Sequence, residues 1–160
     1  MDTRLASLLE ILQLNTRLFL NCLADVDDET AAKRPGGEAN SIAFIALHVL
    51  DARYYLASLV GHEQTNPYKE LLDPVNSIDE LTQIPPLAGV RDAWRTVSSS
   101  LSDRLATLTA AELDNRAAQT FPVDDESLLG GIAFLQQHES FHIGQIAYLR
   151  RLLGLGSMSY

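Results

Sequence analysis

Apolar residues return at alternating steps of three and four along four stretches of the chain, the period of an amphipathic helix with one face turned to a core. In the first stretch Leu5, Leu8, Leu12, Asn15, Phe19 and Cys22 share a stripe, which predicts a helix over residues 3–23. Asn15 is the one polar residue midway along it, suited to a local hydrogen bond or to a contact with a nearby site. The second stretch follows Asn40-Ser41, either of which can cap a helix. It turns Ile45, His48, Ala52, Tyr55 and Leu59 inward, and Gly61 can end it. The third, residues 90–108, carries Trp94, Val97, Leu101, Leu105 and Leu108 inward. The fourth starts from a cap at Asp124 or Asp125 and runs to Gly154, with the stripe Leu128, Gly131, Leu135, His138, His142, Gln145, Leu149 and Leu152.

Between these stretches the pattern breaks. Residues 25–37 are acidic and then rich in breakers, a connection rather than an element. From 61 to 89, Pro67, Pro74, Pro85 and Pro86 exclude a long helix, and Ser77-Ile78-Asp79-Glu80 has the form of a capping box opening one short turn. A connection of that length is either a crossover or a lid. Residues 109–115 suit a short extra turn, followed by irregular chain through Pro122. Strand signals are weak throughout, and there is no internal repeat. Four helices with one apolar stripe each bury those stripes most simply as an all-α four-helix bundle with a long connection between helices two and three, a single domain over residues 1–160.

Composition narrows the function classes. A chain of 160 residues fits one domain, and a hydrophobic fraction of 46% is that of a soluble globular protein. No apolar run approaches the ~20 residues of a membrane helix, and the N-terminus has no basic patch followed by an apolar block, so cytoplasm is the expected location. The net charge of -9 opposes attraction to nucleic acid or to anionic membrane, and neither is expected as a partner. A single cysteine, Cys22, excludes an internal disulfide and a Cys-rich zinc site, and its place on the first stripe suits a small buried hydrophobe.

The chemistry concentrates in the fourth helix. His138 and His142 are four residues apart and differ in azimuth by only about 40°, so both imidazoles can address one point. Left unpartnered on an inward stripe, His138, His142 and Gln145 would cost roughly 1–3 kcal/mol each. In a bundle the midpoints of helices two and four can face each other across the core, and His48 then converges with the pair. Three neutral imidazoles with one side open are the arrangement of a catalytic rather than a structural zinc site. One divalent metal per chain is expected, zinc or nickel foremost, with iron, cobalt or manganese also able to accept such ligands.

Neighbouring residues supply weaker candidates. Asp51, three residues after His48, could orient an imidazole or take a proton; Gln145, one turn past His142, could bond a ligand's free nitrogen or a bound group. These two are the candidate catalytic side chains. Glu139 points about 100° away from His138 and is not expected to be a ligand. His62 follows Gly61 and reads as a surface residue. Gly144 costs about 1 kcal/mol against Ala in a helix, which a close helix contact would explain. Tyr54 and Tyr55 suit a pocket wall or the core. A di-iron bundle fails on ligand count, since Glu139 and His142 form a lone Glu-x-x-His, and a serine hydrolase lacks its Gly-x-Ser-x-Gly elbow.

The helix-two histidine in Ala46-Leu47-His48-Val49-Leu50-Asp51, paired with His138-x-x-x-His142-x-Gly144-Gln145-Ile146 and the ending Leu149-Arg150-Arg151-Leu152-Leu153-Gly154, resembles the DinB/YfiT-like superfamily over the whole chain. The resemblance implies a four-helix bundle in which His48, His138 and His142 align with the family's metal ligands. That superfamily holds bacillithiol and mycothiol S-transferases, a mycothiol-dependent maleylpyruvate isomerase and members described only as metal-dependent hydrolases, and dimers are frequent in it. Ile143 stands where the family often has Arg, removing a group that could meet an anion. The resemblance thus implies a metal-dependent enzyme, expected to activate a low-molecular-weight thiol against a small-molecule substrate and to form a homodimer. The alternatives are hydrolysis by metal-bound water and a non-catalytic metal that holds the core of a binding or stress protein.

Overall fold

A computed structural model describes residues 2–160. Its helices are α1 (Ala6–Cys22, preceded by a 3₁₀ turn at Thr3–Leu5), α2 (Asp28–Ala32), α3 (Ile42–Leu59), α4 (Lys69–Leu72), α5 (Leu87–Thr107), α6 (Ala110–Asp114) and α7 (Leu128–Leu152). Among the described residues no strand forms, only an isolated bridge between Arg116 and Ser127. The expected four-helix bundle is therefore built by α1, α3, α5 and α7.

Local chemistry fixes most of the ends. Ser41 caps α3 by accepting from the Phe44 amide at 3.1 Å. At the other end Gly61, at φ 72°, lets its own amide reach Ser58 O and the His62 amide reach Ala57 O, a Schellman closure that needs the left-handed conformation. Thr109 and Glu112 form a reciprocal capping box at the start of α6. Three expectations are corrected. Residues 25–37 include α2, capped by Asp27. Ser77 makes no cap bond to the 3₁₀ turn at Ile78–Glu80; Glu80 accepts from the Asn76 amide instead. Ser127, rather than Asp124 or Asp125, caps α7, and Asp125 supports it by accepting from the Ser127 amide.

The four long helices form a ring in the order α1, α7, α3, α5, so that α1 lies diagonal to α3 and α5 to α7. Cross-helix bonds give the directions. On α1 and α7, Asn15 bonds Gln136 O and Cys22 O receives Arg150, numbers that rise together, so the pair is parallel. On α3 and α5, Arg53 bonds Ser98 and Val60 O receives Arg104, again parallel. The α3/α7 and α1/α5 pairs are antiparallel, as Leu59 against Gly131 and Arg91 on Leu23 O show. Two parallel neighbours require a long crossover, and residues 60–86 are that crossover from α3 to α5.

The core contains Leu12, Phe19, Leu50, Leu56, Trp94, Leu101 and Ile146, with Phe19 stacked on Trp94 at 4.1 Å between ring centroids. By length and composition Ile42–Leu59 is apolar enough to cross a membrane, a correction to the expectation that no run is; 61% of it is buried in the bundle. The inward stripes of α3 and α7 are also rotated from their expected phase. The buried line of α7 runs through Ile132, Gln136, Glu139, Ile143 and Ile146, while His138, His142 and Gln145 are half-buried and Leu152 is exposed. On α3 the buried line runs through Ile42, Ala46, Val49, Arg53 and Leu56, and His48 is exposed. The histidines lie on the seam between two neighbouring helices rather than across the core.

Candidate metal centre

At the core, where the histidines were expected, stands an ion pair. Arg53 and Glu139 are both fully buried and joined by two hydrogen bonds, Nε to Oε1 at 2.5 Å and Nη2 to Oε2 at 2.7 Å. The Arg53 guanidinium also donates to Thr16 Oγ1 at 3.1 Å and Ser98 Oγ at 3.2 Å, and lies 4.0 Å above the Trp94 ring. Burial pushes the Glu139 carboxyl up, and the Arg53 charge and hydrogen bonds pull it back. Glu139 sits between His138 and His142 in the helix, and Arg53 is just past His48. The pair thus fixes the register of α7 against α3 at the level of the histidines.

On the seam above this pair the three imidazoles converge. His138 Nε2 is 3.1 Å from His48 Nε2 and 3.1 Å from His142 Nε2. All three ligand atoms lie within 4.8 Å of one another. Burial first, then the neighbouring rings of His142 and His48, holds the His138 imidazole down at about 4; on His48, exposed over part of its side chain, the partial burial of the ring and then His142 act in the same direction. Both shifts favour the neutral ring of His138 and of His48, the form that binds metal. Ligands 2.0–2.1 Å from a cation are about 3.3 Å apart on a tetrahedron and about 3.0 Å apart on one face of an octahedron. The two separations from His138 Nε2 fall between these values, the spacing of neighbouring ligands on a divalent cation.

The supports of the three rings differ. Gln145 Oε1 lies 2.7 Å from His142 Nδ1, which places the ring proton on Nδ1 and the lone pair on Nε2, facing the cluster. Gln145 thus fixes the orientation of the His142 ring, with Nε2 turned to the other two histidines. His138 Nδ1 is buried with no partner. Asp51 lies one turn along α3 from His48, but its carboxylate accepts from Asn66 Nδ2 at 2.7 Å and faces a polar pocket of about 240 Å³ with Tyr54, Tyr55, Gln64 and Lys69. It is outside the histidine cluster.

The remaining expectations have mixed outcomes. His62, expected at the surface, is half-buried against Gln64 and stands apart from the cluster. Cys22 is fully buried, its thiol pushed up to about 11 by burial. Asn15 bonds Gln136 O and accepts from Ser140 Oγ at 3.0 Å, so its partners are on α7 rather than local. Gly144 is not in a close helix contact: a Cβ added there would meet nothing within 4 Å. Sequence reasoning missed the aromatic file Tyr55, Phe121, Phe134, whose successive centroids are 6.5 and 5.5 Å apart and which reaches the His138 ring at 6.2 Å. Only the apolar Phe121-Pro122-Val123 within a polar loop hinted at it. A surface groove of about 560 Å³ lies between α1 and α5 on the opposite side of the bundle and has no histidine in its lining.

Comparison with known proteins agrees with the fold. The family model described as the DinB superfamily matches residues 11–146. Among solved structures, a conserved protein from Enterococcus faecalis superposes with a TM-score of 0.78 at 16% identity, covering 98% of this chain and 99% of its own. YfiT from Bacillus subtilis, described as a probable metal-dependent hydrolase with an unusual four-helix bundle topology, superposes with a TM-score of 0.67 at 18% identity, covering 96% of this chain and 90% of its own. No curated protein matches.

Proposed function

The chain belongs to the DinB superfamily, and from that premise and the histidine triangle we propose that it is a divalent-metal-dependent enzyme acting on a small molecule, with a low-molecular-weight thiol as the nucleophile. The observation that carries the reading is the pair of 3.1 Å separations joining the three Nε2 atoms. His48, His138 and His142 would hold the cation, zinc or nickel foremost. When bound there, it would supply Lewis acidity, which lowers the pKa of a thiol or a water and polarises an electrophile.

The chain's own residues favour the thiol. Glu139, the carboxylate closest in sequence to two of the histidines, is fully buried in its bond to Arg53 and cannot serve as a general base for water. Asp51 is held by Asn66 away from the cluster. A thiol, with a free pKa of about 8.5, needs less help from a base than water does. Gln145 keeps His142 in the ligating tautomer, and the aromatic file lies beside the His138 ring. Hydrolysis is the second reading, supported by the description of YfiT.

Elemental analysis of protein purified without a nickel column is the primary test. One equivalent of divalent metal is expected, lost in His48→Ala, His138→Ala and His142→Ala and retained in His62→Ala. Full occupancy in any of the first three would sink the three-ligand site. Metal-loaded protein is then incubated with an electrophile and a panel of thiols, and separately with esters and amides without thiol. Thiol-dependent conjugation that vanishes in His138→Ala supports the transferase; thiol-independent cleavage with the same sensitivity supports the hydrolase.

A further inference from the structure

α7 has a second apolar face. Apart from the residues it buries against α1 and α3, Phe141, Tyr148 and Leu152 are 56%, 63% and 51% exposed. Gly144 lies between them with open space where a side chain would be. With Ile45 and Asn40 they line a groove of about 460 Å³, within the size range of small-molecule sites. The groove adjoins the histidine cluster. Gln145, which orients His142, is part of its lining, and the Phe141 ring stands edge-on to the His142 ring at 5.2 Å between centroids. Ile45 is one turn before His48 on α3.

Two features indicate what the groove takes. Its lining contains no Lys, Arg, Asp or Glu, so a charged group entering it would lose water without gaining a partner. Gly144 weakens the helix by about 1 kcal/mol against Ala, and no contact within the chain requires the missing side chain. A ligand lying against the helix backbone does require it. A second copy of the chain fits less well. At ~200 Å² per full side chain, the three exposed residues offer roughly 350 Å², against ~800 Å² per partner in a stable interface.

We propose that this groove holds the apolar arm, aromatic or branched aliphatic, of an uncharged substrate of the metal centre. The inference rests on the metal-dependent reading and names the substrate class for the same site.

The test uses two fluorophores of nearly the same skeleton: uncharged N-phenyl-1-naphthylamine and its sulfonated analogue 8-anilinonaphthalene-1-sulfonate. The full chain should bind the uncharged probe one to one and at least tenfold more tightly than the sulfonate. Gly144→Leu, which places a side chain in the open groove, should weaken the uncharged probe tenfold or more while metal stoichiometry is unchanged. In cobalt-loaded protein, saturation with the uncharged probe should shift the visible cobalt bands, which reports adjacency to the metal rather than activity. Equal affinity for the two probes, or uncharged-probe binding undiminished in Gly144→Leu, overturns the inference. So does a dimer that becomes a monomer in Gly144→Leu, because the face would then be an interface between copies. Loss of the metal reading shows separately, as full metal occupancy in the histidine variants; a probe still expelled by Gly144→Leu in that case upholds the uncharged ligand class of the groove.

Discussion

Removing one member of the Arg53–Glu139 pair strands the other charge in the core. Both side chains are fully buried. Glu139→Leu leaves a guanidinium whose remaining protein acceptors are two hydroxyls and whose remaining attraction is the Trp94 face. Arg53→Met leaves a carboxylate with no cation. For a buried pair broken on one side the cost is ~3–5 kcal/mol, several times that of an exposed pair such as Lys69–Asp73. The double variant Arg53→Met/Glu139→Leu removes both charges and fills the space with apolar atoms, so it should be milder than either single change. Urea unfolding of the metal-free protein, followed by circular dichroism, measures this. With a slope of ~2 kcal/mol/M, each single variant should lower the midpoint by about 1.5–2.5 M, and the double variant should recover much of that. Single variants that each cost under ~1 kcal/mol, or a double variant that costs their sum, would refute the reasoning, since uncoupled charges are not a buried pair.

Two further outcomes follow from the site. Gln145→Leu removes the acceptor for His142 Nδ1, so metal affinity should fall about 10–100-fold in competition with a chromophoric chelator; unchanged affinity would show that the tautomer is fixed by other means. His138 is held at about 4 in the folded protein against ~6.5 when unfolded, so between those values the unfolded chain binds more protons and stability is lost as pH falls. For a half-buried ring open to solvent screening the loss is about 1–2 kcal/mol by pH 4. It is read as the difference between native and His138→Gln urea midpoints in metal-free protein at pH 7 and pH 4.5, and a difference that stays constant with pH would contradict the assignment.

Periodicity identified the four long helices and the three histidines, because a 3.6-residue repeat and an i, i+4 pair are properties of single helices. It missed the rotation of α3 and α7. Both helices are apolar over more than one face, so a stripe that excluded charged residues ran through His138 and Gln145 and left Glu139 outside. The core nevertheless accepts Glu139 because Arg53 arrives from α3, 86 positions away in sequence, and no single-helix pattern contains that partner. Gly144 shows the same limit from the other side: its presence pointed to a close approach, and only the structure shows that the approach is not made within the chain. The α7 cap was misplaced because Asp125 and Ser127 are both good cap residues; Asp125 bonds the Ser127 amide and leaves the first-turn contact to Ser127.

The parallel packing of α1 on α7 has a consequence for how the chain is made. Asn15 waits for Gln136, and Cys22 for Arg150, partners separated by 121 and 128 positions. At ~5–20 residues per second on the ribosome, the inner face of α1 remains without its partner for several seconds or more after its own synthesis. Helical bundles usually fold fast because their contacts are local; here loop closure over most of the chain precedes the contacts that order the histidines. The histidine cluster is therefore among the last parts of the nascent protein to form, and a cation bound there would favour the ring of helices already closed.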